Sequence, residues 1–447
     1  MQLKSPLVFL FQISYLCDCT LAEKYMLIMK RLLVSLFLLL GGGAISTAQT
    51  FYDIASGGLF YKIINEDLRE VEVCRELEEP KTENGPLYEH IPEGDIHIPA
   101  EITADGETYR VVRIGDSAFG ACFKITTLSI PASVREMGEL PFLSLSGLKS
   151  FVVDEANPFY CSVDGVLYSK DRKTLLCYPN AYGKTFSVPE GTQNILSGAF
   201  FNCFELESIT LPESLNSIGF IAFTSCINLK ELTIPKGVKD LQIYAFAKCA
   251  SLQKVDFKAP LEKLPMYTFD SCSALSDIFL PEGMKSLGDW AFGYCTSLEQ
   301  IKLPSTLEAI EGAVFSNCSK LATIELPQGL KRLGNFAFGD DTALKTIKCQ
   351  MVDPIEGEAM GESVFSNVWV DKCKLIVPEG SKERYAKASQ WQEFLQIEET
   401  TGLDDITRDL SKGHKPAIFT IQGEQLVNRE DLPAGIYIID GVKTLLR

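Results

Sequence analysis

The chain has 447 residues, 46% of them hydrophobic and 23% charged, with 42 Lys+Arg against 59 Asp+Glu and a formal net charge of −17. That balance excludes wholesale disorder. It also excludes nucleic acid as a partner, because affinity for a phosphate backbone comes largely from cationic side chains that displace counterions. Length alone allows several globular domains or one repeat array, so periodicity has to decide.

The first predicted element is a targeting segment. Met29-Lys30-Arg31, the apolar run Leu32 to Leu40 and the small-residue stretch Ala44 to Ala48 follow the order of a secretory signal. The run is far short of the roughly 20 residues needed to cross a bilayer. Residues 1–48 are therefore expected to be a signal peptide, with translation starting at Met29. No cysteine stands where a lipid anchor would require one, and no transmembrane length follows in the mature chain. Removal of 1–48 leaves 38 Lys+Arg against 57 Asp+Glu, a net charge of −19. The expected location is the cell surface or the medium. Residues 49–113, with weak alternation and a degenerate strand at Ile96-His97-Ile98-Pro99, suit the amino-terminal cap that a repeat array needs.

A period of 23 residues then takes over. Phe200, Phe223, Phe246, Phe269, Phe292, Phe315 and Phe338 are evenly spaced, and a cysteine follows three residues after each of the first six: Cys203, Cys226, Cys249, Cys272, Cys295 and Cys318. Asp341 breaks that column at the seventh. Leu206 to Leu344 form a further column six residues after each Phe, and Ile209 to Ile347 another. The Ile-x-Leu unit alternates with period two, as a short strand with one buried face does, and Pro212, Pro235, Pro281, Pro304 and Pro327 end it. The Ala-Phe-x-x-Cys-x-x-Leu block suits a short helical or 3₁₀ turn. One such coil has no core of its own, so neighbours must stack in parallel.

Ile218-Gly219 through Ala222-Phe223, Cys226, Leu229 and Leu232 to Pro235 closely resembles the repeat of BspA-like leucine-rich-repeat proteins of bacterial surfaces. The resemblance covers residues 114–396. It implies a repeat solenoid, a right-handed leucine-rich-repeat coil with one short parallel strand per coil. It also implies surface adhesins that bind host or bacterial proteins.

Residues 155–185 interrupt the period. Two alternating runs flanking Lys170-Asp171-Arg172-Lys173 read as a β-hairpin insertion projecting from the solenoid. Leu375-Ile376-Val377-Pro378, followed by Tyr385, Trp391 and Phe394, reads as a last strand and an amphipathic helix. Residues 397–447 read as a linker and a small β tail with an Asp440-Gly441 hairpin turn. The tail resembles a Bacteroidetes type IX secretion sorting domain, and a small β tail without a sorting role fits the same pattern.

No catalytic signature appears. The mature chain has only His90, His97 and His414, each in a different region, and no nucleophile elbow, zinc helix, phosphate loop or EF-hand loop, so no enzyme, metal or cofactor is expected. The cysteine column is one coil apart in single file, which suits buried thiols acting as small hydrophobes. Cys161 with Cys177 and Cys349 with Cys373 remain open as disulfides.

Two ladders are candidate binding surfaces. On the strand face, Asp256, Asp277, Phe279, Gln300 and Lys302 flank the buried Ile column. Two residues before the repeat Phe stand Tyr244, Tyr267, Trp290 and Phe336, which suit stacking on a sugar, anchoring a protein, or simply shielding the core. Surface proteins are the expected partners, with glycan capture and an envelope spacer as the alternatives.

Overall fold

A computed structural model describes residues 51–77, 88 and 90–400, together with the backbone of strands Ile418–Thr420, Gln425–Leu426, Gly435–Ile439 and Val442–Leu446. The expected signal peptide lies outside the described residues, as does His414. Two compact units are formed, Met1–Tyr182 and Gly183–Arg447. No described helix is long and apolar enough to cross a membrane.

In the first unit, the cap is a sheet of strands Ile54–Ser56, Leu59–Asn65 and Glu70–Cys74, antiparallel to one another, with Glu70–Cys74 then pairing parallel with Glu107–Ile114. The degenerate strand is present as Gly94–His97 and pairs parallel with Ile125–Ile130, which pairs with Ser150–Val153. Glu70 and Glu72 are buried and neutralised by Arg135, at 2.8 Å from Glu70, and by Arg113 on Glu72. The insertion is a three-stranded meander of Tyr160–Val163, Val166–Ser169 and Thr174–Cys177, one strand more than expected. It does not project freely, because Leu167 and Cys177 enter the core beside Phe151.

The second unit is a β-solenoid. Its first sheet contains the expected strands, among them Glu231–Ile234, Lys254–Phe257 and Asp277–Phe279, paired parallel with each residue opposite its equivalent one period later. A second sheet was not foreseen: each coil carries a further two-residue strand, such as Ser217–Ile218 and Asp240–Leu241, again parallel. One strand per coil is thus corrected to two. Pairing needs only two extended residues, one of them buried, which is too short a stretch to show alternation.

Between the sheets runs the phenylalanine turn. Rings from Phe200 through Phe338 stack on their neighbours at 4.6–5.8 Å with interplanar angles of 6–14°. The turn is a chain of single i to i+3 bonds, for example from the Cys226 N–H to the Phe223 carbonyl at 3.2 Å. It does not become a helix because residues two before and two after each Phe are left-handed, such as Ile221 (φ 48°) and Ser225 (φ 62°). Amides of this turn also bond the next coil, as from Phe223 N–H to the Ala245 carbonyl at 2.8 Å.

The cysteine column is buried, and its thiols donate to the Phe carbonyl of the preceding coil: Cys226 to Phe200 at 3.2 Å, Cys249 to Phe223 and Cys272 to Phe246 at 3.3 Å. Asp341 takes the same position and accepts the Cys318 N–H at 2.8 Å. None of the twelve described cysteines is joined in a disulfide. Cys161 and Cys177 lie on strands separated by Val166–Ser169, too far apart to bridge.

Past the last coil, strand Lys374–Val377 is followed by a single helical turn, Lys382–Tyr385, and a further strand, Gln396–Glu399. The amphipathic helix is thus shorter than expected, although Tyr385, Trp391 and Phe394 are buried as the pattern required. The tail strands form an antiparallel sheet in which Ile439 lies opposite Val442, a register that leaves two residues for the connection.

Candidate binding surface

Strand-face residues two apart point the same way, so the positions either side of each buried Ile stand out from the first sheet. Asp277–Phe279 shows this directly: Ile278 is buried, while Phe279 is 57% exposed. Beyond Phe279 the sheet nearly parts, since only an isolated bridge, Phe279 to Lys302, links Asp277–Phe279 with Gln300–Ile301. A groove of about 830 Å³ lies there, lined by Asp277, Phe279, Glu282, Gln300, Lys302 and Glu325 among others.

Four of the five strand-face candidates therefore meet in one concavity. Asp256 does not join them, because it sits one coil back and is ion-paired with Lys258 at 2.6 Å. Within the groove, Glu282 accepts from the Ser305 N–H and hydroxyl at 3.0 and 2.9 Å, and Glu325 accepts from the Gln350 amide at 2.5 Å. Glu325 continues the flanking column of Phe279 and Lys302, whereas Glu282 lies outside the flanking columns and was missed from the sequence. Among the described residues Asp277 and Lys302 show no such bond, so the groove offers one aromatic surface and one cation among three carboxylates, Asp277, Glu282 and Glu325.

The aromatic ladder has a different geometry. Tyr244, Tyr267, Trp290 and Phe336 are all left-handed, at φ 56–59°. Tyr244 stacks on Tyr267 at 4.3 Å and 5°, Tyr267 on Trp290 at 6.4 Å and 3°, and Trp290 on Tyr294 at 5.9 Å and 9°. Tyr244, Tyr267 and Trp290 thus each have a ring stacked against a neighbouring ring. Phe336 stands apart, 40% exposed, beyond the buried Ala313. Gly293, three residues after Trp290, lets that indole lie across the turn, since a Cβ there would sit 2.5 Å from the ring. Beneath the stack, burial pushes the Asp270 carboxyl up to about 6, partly offset by a 3.0 Å hydrogen bond from Ser271.

Among the described residues, no group of three or more His, Cys, Asp or Glu side chains is placed to hold a metal ion. A model of the BspA type leucine-rich repeat region matches the chain in six copies, over residues 103–159, 177–279 and 262–376. The chain belongs to the BspA-type leucine-rich-repeat family. Similar solved structures include a leucine-rich repeat protein from Eubacterium ventriosum, at 25% identity over 55% of this chain and 64% of that one, with a TM-score of 0.49. Another is a leucine rich cell surface protein from Faecalibacterium prausnitzii, at 21% identity over 77% and 98% of the two chains, with a TM-score of 0.41. The match thus spans a little under two thirds of the Eubacterium protein. No curated protein matches the sequence. In BspA-type terms, the groove belongs to the strand columns of the repeat and the aromatic ladder to its turn.

Proposed function

We propose that this chain is a non-catalytic, exported surface protein that holds protein partners, in the manner of an adhesin, in the strand-face groove around Phe279. The observation that carries this reading is the exposed Phe279 ring set between Asp277 and Lys302 in a groove of about 830 Å³. Interfaces concentrate their energy in a few aromatic anchors ringed by polar groups, and this arrangement has that form. Membership of a leucine-rich-repeat family fits a protein-binding role. The signal sequence supports export, and the tail supports sorting through type IX secretion.

The test is capture of host and bacterial surface proteins on the immobilised chain, followed by affinity measurement for each captured protein. Phe279→Ala should weaken binding about 30-fold, the equivalent of a 2 kcal/mol anchor, and Trp290→Ala should leave it within about twofold. The opposite order, or binding only to a glycan array, rejects the groove in favour of the aromatic ladder.

A further inference from the structure

Successive coils are joined at three stations: the first sheet, the second sheet and the phenylalanine turn. In two adjacent steps one station is open. Between Asp240–Leu241 and Lys263–Leu264 the second sheet is interrupted, whereas the first sheet remains paired there, Lys254 opposite Asp277 and Val255 opposite Ile278.

The cause is legible in the chain. Gly219, Gln242, Gly288, Glu311 and Gly334 occupy one column, and each donates its N–H back to the preceding coil at 2.7–3.0 Å, as Gln242 does to the Ile218 carbonyl. Pro265 occupies that column at the interrupted step and has no hydrogen to give. Nearby bonds are lost with it. Lys285 and Ser286 both donate to the Glu262 carbonyl, but among the described residues Glu262 and Lys263 make no such bond to Lys239. A cavity of about 600 Å³ lies at this seam, lined by Leu241, Lys263, Pro265, Met266 and Asp289 among others.

One step further along, the open station is on the other sheet. There Asp277–Phe279 meets Gln300–Ile301 through a single bridge, while the second sheet stays paired from Lys263 to Ser286. The first sheet also parts between Ser208–Thr210 and Glu231–Ile234, but Lys230 still reaches the Glu207 carbonyl at 3.2 Å. At both of the open steps the phenylalanine turn stays bonded, Phe246 to Thr268 at 3.0 Å and Phe269 to Ala291 at 2.9 Å.

We propose that the coil between these seams, residues 258–280, is a hinge. The phenylalanine turn is its axis, Pro265 keeps its second-sheet side open, and its motion sets the width of the strand-face groove. A fully laddered stack is stiff because each coil is fixed at every station; removal of one station leaves rotation about those that remain. The hinge does not depend on what the groove binds.

Hydrogen exchange on the full chain, resolved by residue and corrected for intrinsic rates, tests it. The amides of Glu262 and Lys263 should exchange at least about tenfold faster than those of Lys285 and Ser286, their equivalents one coil on. Pro265→Gln, which copies Gln242, should slow exchange at Glu262 and Lys263 by about tenfold. Equal protection of the two amide pairs in the unmodified chain overturns the hinge whether or not the variant folds. A folded Pro265→Gln chain with unchanged exchange at Glu262 and Lys263 overturns it too.

Discussion

Phe269→Ala tests how the solenoid is held together. The ring is fully buried and stacked between Phe246 at 5.7 Å and Phe292 at 5.8 Å, with Phe257 edge-on at 6.0 Å and 87°. Truncation removes the transfer energy of a buried phenyl and leaves a cavity between the two flanking rings, a loss of about 3–5 kcal/mol. Phe269→Leu retains most of the volume but not the ring pairs, each contributing about 0.5–1.5 kcal/mol, so a loss of about 1–3 kcal/mol is expected. The position is central, and each coil touches only its neighbours, so the Ala variant should also uncouple the coils on either side. Guanidinium unfolding of the chain, followed by circular dichroism, should show a lower midpoint and a broader or two-step transition. A loss below about 1 kcal/mol for Ala, or equal losses for Ala and Leu, would refute the stacked column.

Other expectations concern buried polar groups. Burial raises Asp270 to about 6 and Asp341 well above the carboxylate range. A carboxyl raised on folding holds a proton that the unfolded chain releases near pH 4, so its contribution to stability is full below that pH and is lost as pH rises through the folded value. Asp270→Asn should therefore gain on the unmodified chain between pH 4 and 6, by at most about 3 kcal/mol, as read from denaturant midpoints; a gain that shrinks over that range contradicts the assignment. The repeat thiols are fully buried and Cys161 is half-buried, so a thiol-disulfide reagent should label Cys161 first and the column only on unfolding. Rapid native labelling of Cys249 or Cys272 would contradict the packing. Asn157 is fully buried; its amide donates to the Pro131 and Val134 carbonyls at 2.9 Å and its oxygen accepts from Phe159 and Tyr160 N–H. Asn157→Ala should cost about 3 kcal/mol because it leaves several buried partners unpaired, and a thermal melt that does not move would deny the clip.

The parts of the fold that the sequence made legible are those that repeat as side chains. The Phe, Cys, Leu and Ile columns are apolar at a fixed interval, so their burial and the first sheet could be read directly. Backbone features left weaker traces. Ser217–Ile218 is too short to alternate, and the left-handed positions hold Ile221, Tyr244 and Trp290, residues that do not advertise that conformation. The companion column does carry a signal, in Asn202, Asn317, Asp340 and Asn367, residue types that tolerate it. For the candidate surface, Asp277, Phe279, Gln300 and Lys302 were found from period two. The seam that gathers them was not, because it is a loss of pairing between coils, and Pro265 is informative only once its column is known to donate.

Spacing along the solenoid tests the central claim most directly. Spin labels at Glu231 and Gln300, three periods apart, and at Glu231 and Thr346, five apart, report the rise per coil by dipolar spectroscopy. Parallel coils at strand spacing place the label sites about 14 and about 24 Å apart, with distance growing in proportion to coil number. Separations that ignore coil number would contradict the stacked repeat and, with it, the groove around Phe279.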